Sequence, residues 1–204
     1  MARKNNMWKI AAIALLLGLV LVGQAWGQAK YGPRTEPFIN MILSGTFHMK
    51  VSVLNSGVAA EIEMFTKGDR IATETSTHGV TVRVIFRDNK TYMIMDSEKM
   101  ILVTAAPQKV SDVIGISDTG DLRFTGSGTA AFAGKNLPYE EYISGDSKVL
   151  YFVDGNKLAG FRTSSPGVGT FDTVISELDQ NVPDSVFVVP SSGYEVQDMS
   201  SFSF

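Results

Sequence analysis

The sequence predicts a mainly β protein with one strongly curved antiparallel sheet, an incomplete barrel wrapped around short helices. In the stretch 79–103, apolar and polar side chains alternate in three successive segments, as they do in strands with one buried face. The segments are joined by turns of two to four residues, and connections this short join antiparallel neighbours. About ten such strands follow one another along the chain, and a sheet of this size curls instead of staying flat.

The first half of the chain is predicted to be a short helix followed by a six-stranded meander. Pro37 suits the first turn of a helix over 38–43, which Gly45 ends. Strands are predicted over 47–53, 58–65, 70–76, 80–87, 91–96 and 99–103. The turn between the fourth and fifth strands is assigned to three residues, Asp88, Asn89 and Lys90.

The second half is predicted to cover the sheet and then to extend it. Residues 105–116 break the alternation, and Pro107 starts a predicted helix whose apolar side chains share one face. Further strands are predicted over 122–132, 138–143, 149–153, 157–163 and 170–178, the last with a helix as the alternative. One helical turn is predicted over 183–187. The Ser-rich residues 197–204 are expected to be a disordered tail.

The N-terminal segment is typical of a secretory signal peptide. Three basic residues precede an apolar run at 10–22, and small residues follow at Gly27 and Ala29. The predicted organisation is a signal peptide at 1–29, cleaved after Gly27 or Ala29, and one β domain at 30–196. The expected location is the periplasm or the cell exterior. The alternative is an uncleaved N-terminal membrane anchor, because the apolar run is shorter than a usual membrane span.

Composition excludes several classes of function. The net charge of -3, with no basic run beyond the leader, argues against a nucleic-acid partner. The chain has no cysteine, which excludes disulfides, thiol catalysis, thiolate-bound metals and the lipid-modified cysteine of a lipoprotein. An exported domain without disulfides rests on its hydrophobic core alone.

The order of turns and strands resembles the periplasmic lipoprotein-carrier fold, that of the LolA/LolB-like half-barrels and their uncharacterised relatives. The hairpin pattern of that family is matched by Lys90, Tyr92, Asp96 and Lys99, and its closing element is approximated by Pro183, Phe187, Pro190 and Tyr194. The strand position that often carries Arg in the family falls on Ala72, two residues after Arg70. The resemblance implies a sheet wrapped around helices, with an apolar cavity that holds acyl chains in the best-known members.

No motif in the sequence predicts catalysis, a metal or a cofactor. His48 and His78 lack a nearby third ligand, and both are predicted to be exposed and without function. Asp118 begins the triplet of aspartic proteases, but that chemistry needs two such loops, and one copy is typical of a turn. Glu140 and Glu141 are neighbours on a strand, point to opposite faces and therefore do not act together.

Methionine is the enrichment that suggests a binding surface. Five methionines lie in predicted strands: Met49, Met64, Met93, Met95 and Met100. They either fill the core or form a pliable lining for an acyl ligand, because the thioether side chain adapts to irregular apolar shapes. The predicted apolar lining consists of Met49, Met64, Val84, Phe86, Tyr92, Ile94 and Phe124.

The leading hypothesis is therefore an exported, non-enzymatic carrier for an apolar, lipid-like ligand. Its expected partners are lipid or lipoprotein acyl chains, with transient contact to a membrane surface or a protein, and the expected state is a monomer. The alternative is a structural or regulatory protein-interaction domain with a fully packed core. A cavity bounded by the strand methionines favours the carrier, and a packed core with an exposed apolar patch favours the interaction domain. A third hypothesis, a hydrolase, requires a pair of Asp118 residues across a dimer axis.

Overall fold

One curved, unclosed sheet of twelve strands forms the core of the computed structural model and confirms the predicted fold class. The structure describes residues 31–54, 60–77, 80–105, 122–167 and 169–199. The strands are β1 (Thr46–Leu54), β2 (Ala60–Lys67), β3 (Arg70–Thr77), β4 (Val80–Arg87), β5 (Lys90–Met95), β6 (Met100–Ala105), β7 (Arg123–Phe132), β8 (Lys135–Ser144), β9 (Ser147–Asp154), β10 (Lys157–Ser165), β11 (Gly169–Asp179) and β12 (Glu195–Asp198). They lie in the order β12-β6-β5-β4-β3-β2-β1-β11-β10-β9-β8-β7. Helix α1 (Glu36–Leu43) precedes the sheet, and a 3-10 helix (Asp184–Phe187) follows β11.

Two meanders meet in the middle of this sheet. Strands β1 to β6 pair in sequence order, as predicted, and β7 to β11 form the second antiparallel series. The last strand of the second series, β11, pairs with β1 and so joins the two halves. The predicted helix at 105–116 and the predicted signal peptide lie outside the described residues, apart from Ala105, which ends β6.

Helix α1 packs on one face of the sheet, here called the inner face. Ile39 and Ile42 of α1 join a cluster of buried residues from both meanders. The sheet contributes Phe47, Met49, Val51, Ile62, Met64, Ile71, Phe86, Leu122, Tyr142, Val149, Tyr151, Val153, Leu158, Phe161 and Ile175, counting Leu122 just before β7. The predicted helix over 38–43 is confirmed and begins two residues earlier, with proline in its first turn.

A buried carboxylate fixes the N-terminal end of α1 to β8. Glu140 is 1% exposed and accepts hydrogen bonds from the backbone N–H groups of Arg34 and Thr35, each at 3.0 Å, and from the Thr35 hydroxyl at 2.6 Å. The Tyr142 hydroxyl accepts the backbone N–H of Gly32 at 2.8 Å. Glu140 therefore anchors to β8 the turn that leads into α1, because it binds the backbone N–H groups of Arg34 and of the N-cap residue Thr35.

The C-terminal segment covers the opposite, outer face of β3 to β6. Buried Val182 and Phe187 pack against the outer-face residues Ala72, Ile85, Ile94, Ile101 and Val103. The Phe187 carbonyl accepts a hydrogen bond from Arg87 at 3.0 Å. This segment contains the one predicted helical turn, which is the 3-10 helix.

The two sequence elements that resemble the lipoprotein-carrier family touch each other here. Asp96 after β5 accepts two hydrogen bonds from Arg83, at 3.0 and 3.1 Å, and one from the Tyr194 hydroxyl. The Lys99 ammonium lies 5.1 Å from the centre of the Tyr194 ring. The hairpin and the closing element thus form one contact across 98 residues of sequence.

Strand β12 was not predicted. It pairs in parallel with β6, whereas the prediction was an antiparallel sheet followed by a disordered tail from residue 197. Gln197 and Asp198 lie opposite Leu102 and Val103, so the strand continues into the predicted tail. This pairing depends on the C-terminal segment crossing the outer face first, which no local pattern reveals.

Candidate functional site

An apolar surface on the inner face of β4, β5 and β6 is the best candidate for a binding site. It consists of Val82, Val84, Met93, Met95, Met100 and Leu102, and is called the methionine surface below. The register places Val82, Met95 and Met100 in one row and Val84, Met93 and Leu102 in the next. Directly opposite residues on neighbouring strands share a face, so the six side chains form one continuous patch.

The methionine surface is less buried than the rest of the inner face. All six side chains are partly exposed, and Met93 is 37% exposed. Val84 packs at the margin of the cluster that contains α1, so the surface continues the hydrophobic core laterally. In the described part of the chain, α1 covers the neighbouring region of the inner face and not the methionine surface. Contiguous exposed apolar patches on folded proteins mark sites of interaction.

The structure brings five of the seven predicted lining residues to one face. Met49, Met64 and Phe86 are buried in the packed core, at 2%, 3% and 7% exposure. Val84 and Phe124 are partly buried against the same cluster. The core-filling interpretation therefore holds for Met49 and Met64, whereas Met93, Met95 and Met100 lie on the open patch.

Tyr92 and Ile94 lie on the outer face, so the predicted lining is not a single surface. The β4–β5 turn contains two residues, Asp88 and Asn89, with positive φ angles of 53° and 57°. Tyr92 consequently pairs with Ile85. The three-residue turn predicted from sequence would pair Tyr92 with Phe86, and a shift of one residue moves every side chain to the other face. Asp and Asn tolerate left-handed conformations, so Asp88 and Asn89 are typical of a two-residue turn. With a turn of that length, the sequence pattern places Met93 and Met95 on the same face as Val84.

An apolar groove lies beside α1, away from the methionine surface. Its volume is about 450 Å³, within the range of small-ligand sites. Its apolar lining includes Phe38, Phe132, Leu137, Leu158, Val174, Ile175 and Leu178, and its charged lining comprises Lys135, Asp154, Lys157, Glu177 and Asp179. Because Lys135 binds Asp154 at 2.8 Å, part of the charge on this groove is internally paired.

His48 is buried, contrary to the prediction of an exposed residue. It is 7% exposed, and its ring stacks on Phe65 with 4.5 Å between ring centres. Nε2 lies 2.9 Å from Glu63 Oε1, and Nδ1 lies 3.4 Å from Asp179 Oδ2. The alternation placed His48 correctly on the polar face, but long side chains from β2 and β11 cover it there. His78 and Asp118 lie outside the described residues.

The two adjacent glutamates take opposite faces, as predicted. Glu140 holds the residues before α1 on the inner face, and Glu141 lies 3.1 Å from Lys148 on the other face. Burial raises the pKa of Tyr142, which lies beside Glu140 in this network. Burial likewise raises the pKa of Tyr151, whose hydroxyl has no hydrogen-bond partner among the described residues.

No family model and no curated protein matches the chain. An uncharacterized conserved protein from Thermus thermophilus is 8% identical, with a TM-score of 0.49, over 80% of this chain and 98% of its own. MucB, in a complex with MucA(peri), is 11% identical, with a TM-score of 0.41, over 76% of this chain and 57% of its own. A DUF1329 family protein from Desulfovibrio piger is 10% identical, with a TM-score of 0.31, over 78% of this chain and 98% of its own. Likenesses of this strength do not assign a family. In the described ranges, no helix has the length and apolarity needed to cross a membrane.

Proposed function

We propose that this chain is an exported, non-enzymatic binding protein that holds an apolar, lipid-like ligand against the methionine surface. The observation that carries the proposal is the partly exposed apolar patch on β4 to β6, directly beside the packed core. Export rests on the predicted signal peptide at 1–29. A lipid or lipoprotein acyl chain is the proposed ligand because it needs only apolar contact along its length.

The chemistry of the surface suits such a ligand. Three of its six side chains are methionines, whose flexible thioethers adjust to chains of different length and bend. The strands beneath them are held by the outer-face cluster, in which Ile94 and Ile101 are 0% and 1% exposed. A rigid sheet with adaptable side chains allows binding without reordering the backbone, which keeps the entropic cost low.

A second candidate is a protein-interaction domain, and one observation favours it. The inner face around α1 is a packed core and the methionine surface is an exposed apolar patch beside it, which is the arrangement expected of an interaction domain. The occupant would then be an apolar segment of a partner protein, laid across the three strands. Both candidates use the same surface, and they differ in whether a free acyl chain binds.

Binding of a fluorescent fatty-acid probe tests the proposal. Met93→Glu places a charge on the exposed part of the patch, and Val188→Glu makes the matched change at a 57% exposed valine in the C-terminal segment. Because Met93 is 37% exposed, the ligand buries only part of its side chain, and most of the effect of Met93→Glu comes from placing a charge against an apolar ligand. We expect the variant to bind the probe at least about tenfold more weakly. Val188→Glu is expected to leave binding unchanged. Equal binding by both variants would contradict the assignment, and no binding by the unaltered protein would leave the interaction domain as the better candidate.

A further inference from the structure

We propose a divalent-metal site on the outer face of the sheet, formed by His48, Glu177 and Asp179 and suited to a first-row ion such as Zn²⁺. One ligand atom from each of these residues lies within 4.8 Å of the other two. Imidazole and carboxylate together are typical ligands of such ions. The site is on the face opposite the methionine surface, so the metal proposal and the proposed function are tested independently of each other.

A β-bulge creates this arrangement. His48 lies directly opposite Asp179, and Lys50 lies opposite Glu177, after which the register shifts and Val51 pairs with Ile175. Ile175 and Leu178 both pack on the inner face although they are three positions apart. The extra residue therefore turns Glu177 and Asp179 outward, beside His48. Bulges re-aim side chains in this way and are frequent beside functional sites.

The hydrogen bonding of His48 leaves one ring nitrogen available as a ligand. Its side chain is 9% exposed, and Nε2 lies 2.9 Å from the carboxylate of Glu63. An ionised carboxylate only accepts hydrogen bonds, so Nε2 carries a proton. In a neutral imidazole, Nδ1 is then an acceptor, and it faces Asp179 Oδ2 at 3.4 Å. A metal ion between Nδ1 and the carboxylate of Asp179, whose side chain is 48% exposed, would be bound by both.

Glu63 is not one of the three proposed ligands, but its carboxylate is positioned to orient the His48 ring in this site. Histidines that bind metals commonly donate their second N–H to a carboxylate, which fixes the ring orientation and strengthens the ligand. The phenyl ring of Phe65, stacked on His48, restricts the imidazole further. The residues that surround His48 thus hold Nδ1 towards Asp179. Glu177 is exposed, which leaves a coordination position open to solvent.

The local charge favours a cation. Lys50 is a basic side chain on this part of the outer face, and it binds Glu61 at 2.7 Å. Lys135 and Lys157 line one groove together with Glu177 and Asp179, and Lys135 is paired with Asp154 at 2.8 Å. Since Lys50 is held by Glu61, the carboxylates around His48 keep an excess of negative charge.

Zinc titration by isothermal calorimetry tests the site in a His78→Gln background. His48 is then the one histidine of the chain, which has no cysteine. We expect one Zn²⁺ per chain, with binding weakened at least tenfold by Glu177→Gln and by Asp179→Asn. The exposed Glu177 makes no described hydrogen bond, so its substitution keeps the fold. Glu74→Gln, an exposed change on β3, is the matched control and is expected to keep the affinity.

The outer carboxylate gives a second, graded readout. Glu63→Gln is expected to reduce the affinity roughly 10–100-fold without abolishing the 1:1 stoichiometry. The ¹⁵N shifts of the His48 ring are expected to show Nδ1 as the metal-bound nitrogen and Nε2 as protonated. Absence of 1:1 zinc binding, or equal affinity in Glu177→Gln, Asp179→Asn and Glu74→Gln, would overturn the proposal. The proposal is also overturned if zinc does not bind and both ring nitrogens of His48 are protonated at neutral pH, because a proton on Nδ1 then takes the place of the metal ion.

Discussion

Glu140→Gln is expected to destabilise the protein strongly, because the carboxylate anchors the turn before α1 to β8. Its two oxygens accept three hydrogen bonds, from the backbone of Arg34 and from the backbone and hydroxyl of Thr35. A glutamine oxygen can keep the two bonds from Thr35, but its amide group then meets the Arg34 N–H, donor against donor. One unsatisfied N–H costs about 1–3 kcal/mol, and the bonds that remain lose the strength given by the charge. We expect a loss of about 2–4 kcal/mol in the free energy of unfolding.

Urea denaturation measures this loss, with Glu141→Gln as the control. Glu141 is the next residue on the same strand, but its partners are the surface residues Thr125 and Lys148. Its substitution is expected to change stability by about 0.5 kcal/mol or less. The midpoint for Glu140→Gln is expected to fall with an unchanged m value. Equal stability of the two variants would refute the anchoring role of Glu140.

A double-mutant cycle tests the same contact from its other side. A Cβ on Gly32 would lie 2.3 Å from the carboxyl carbon of Glu140, so Gly32→Ala pushes the carboxylate away from its donors. We expect Gly32→Ala to be destabilising alone and to add less than its full effect in the Glu140→Gln background. Full additivity would show that the two residues do not share one contact.

Two further predictions concern the C-terminal contact and the second meander. The Arg83 hydrogen bonds lower the pKa of Asp96 below its usual 3.8, so the carboxylate stabilises the fold above pH 3.8 and this contribution disappears as the pH falls through the lowered pKa. In chemical denaturation, Asp96→Asn is therefore expected to be less stable than the unaltered protein at pH 7 and to lose less stability between pH 4 and pH 2. A parallel loss of stability in both proteins would contradict this. A Cβ on Gly160 would lie 2.1 Å from the Thr173 carbonyl oxygen. Gly160→Ala is therefore expected to abolish folding, or to lower the melting temperature more than a substitution at any exposed turn glycine does. An unchanged melting temperature would contradict this.

The strand pattern could be predicted from sequence because it is local. Alternation and short polar turns located every strand of both meanders, and the strand that was missed is one whose pairing depends on distant parts of the chain. Strand β12 pairs with β6 because the C-terminal segment first crosses the outer face, where Phe187 and Val182 are buried. No pattern within 195–198 carries that information.

The methionine surface was predicted in part, and the error has one cause. The enrichment in methionine was visible in the sequence. The β4–β5 turn, however, was predicted to contain three residues where it contains two, and this error placed Tyr92 on the same face as Phe86. Two residues at positive φ, Asp88 and Asn89, set the true register. His48 was missed for a different reason, since burial on a polar face depends on the side chains of two flanking strands, one of them 131 residues away.

Native mass spectrometry of the protein purified from its own host, before and after organic extraction, tests the central claim most directly. A binding protein for an apolar ligand is expected to carry an additional mass in the acyl-lipid range that extraction removes. The Met93→Glu variant, folded as judged by circular dichroism, is expected to carry less of it than Val188→Glu. A protein without additional mass, which also fails to bind the fatty-acid probe, would contradict the lipid-binding function and favour a protein partner on the methionine surface.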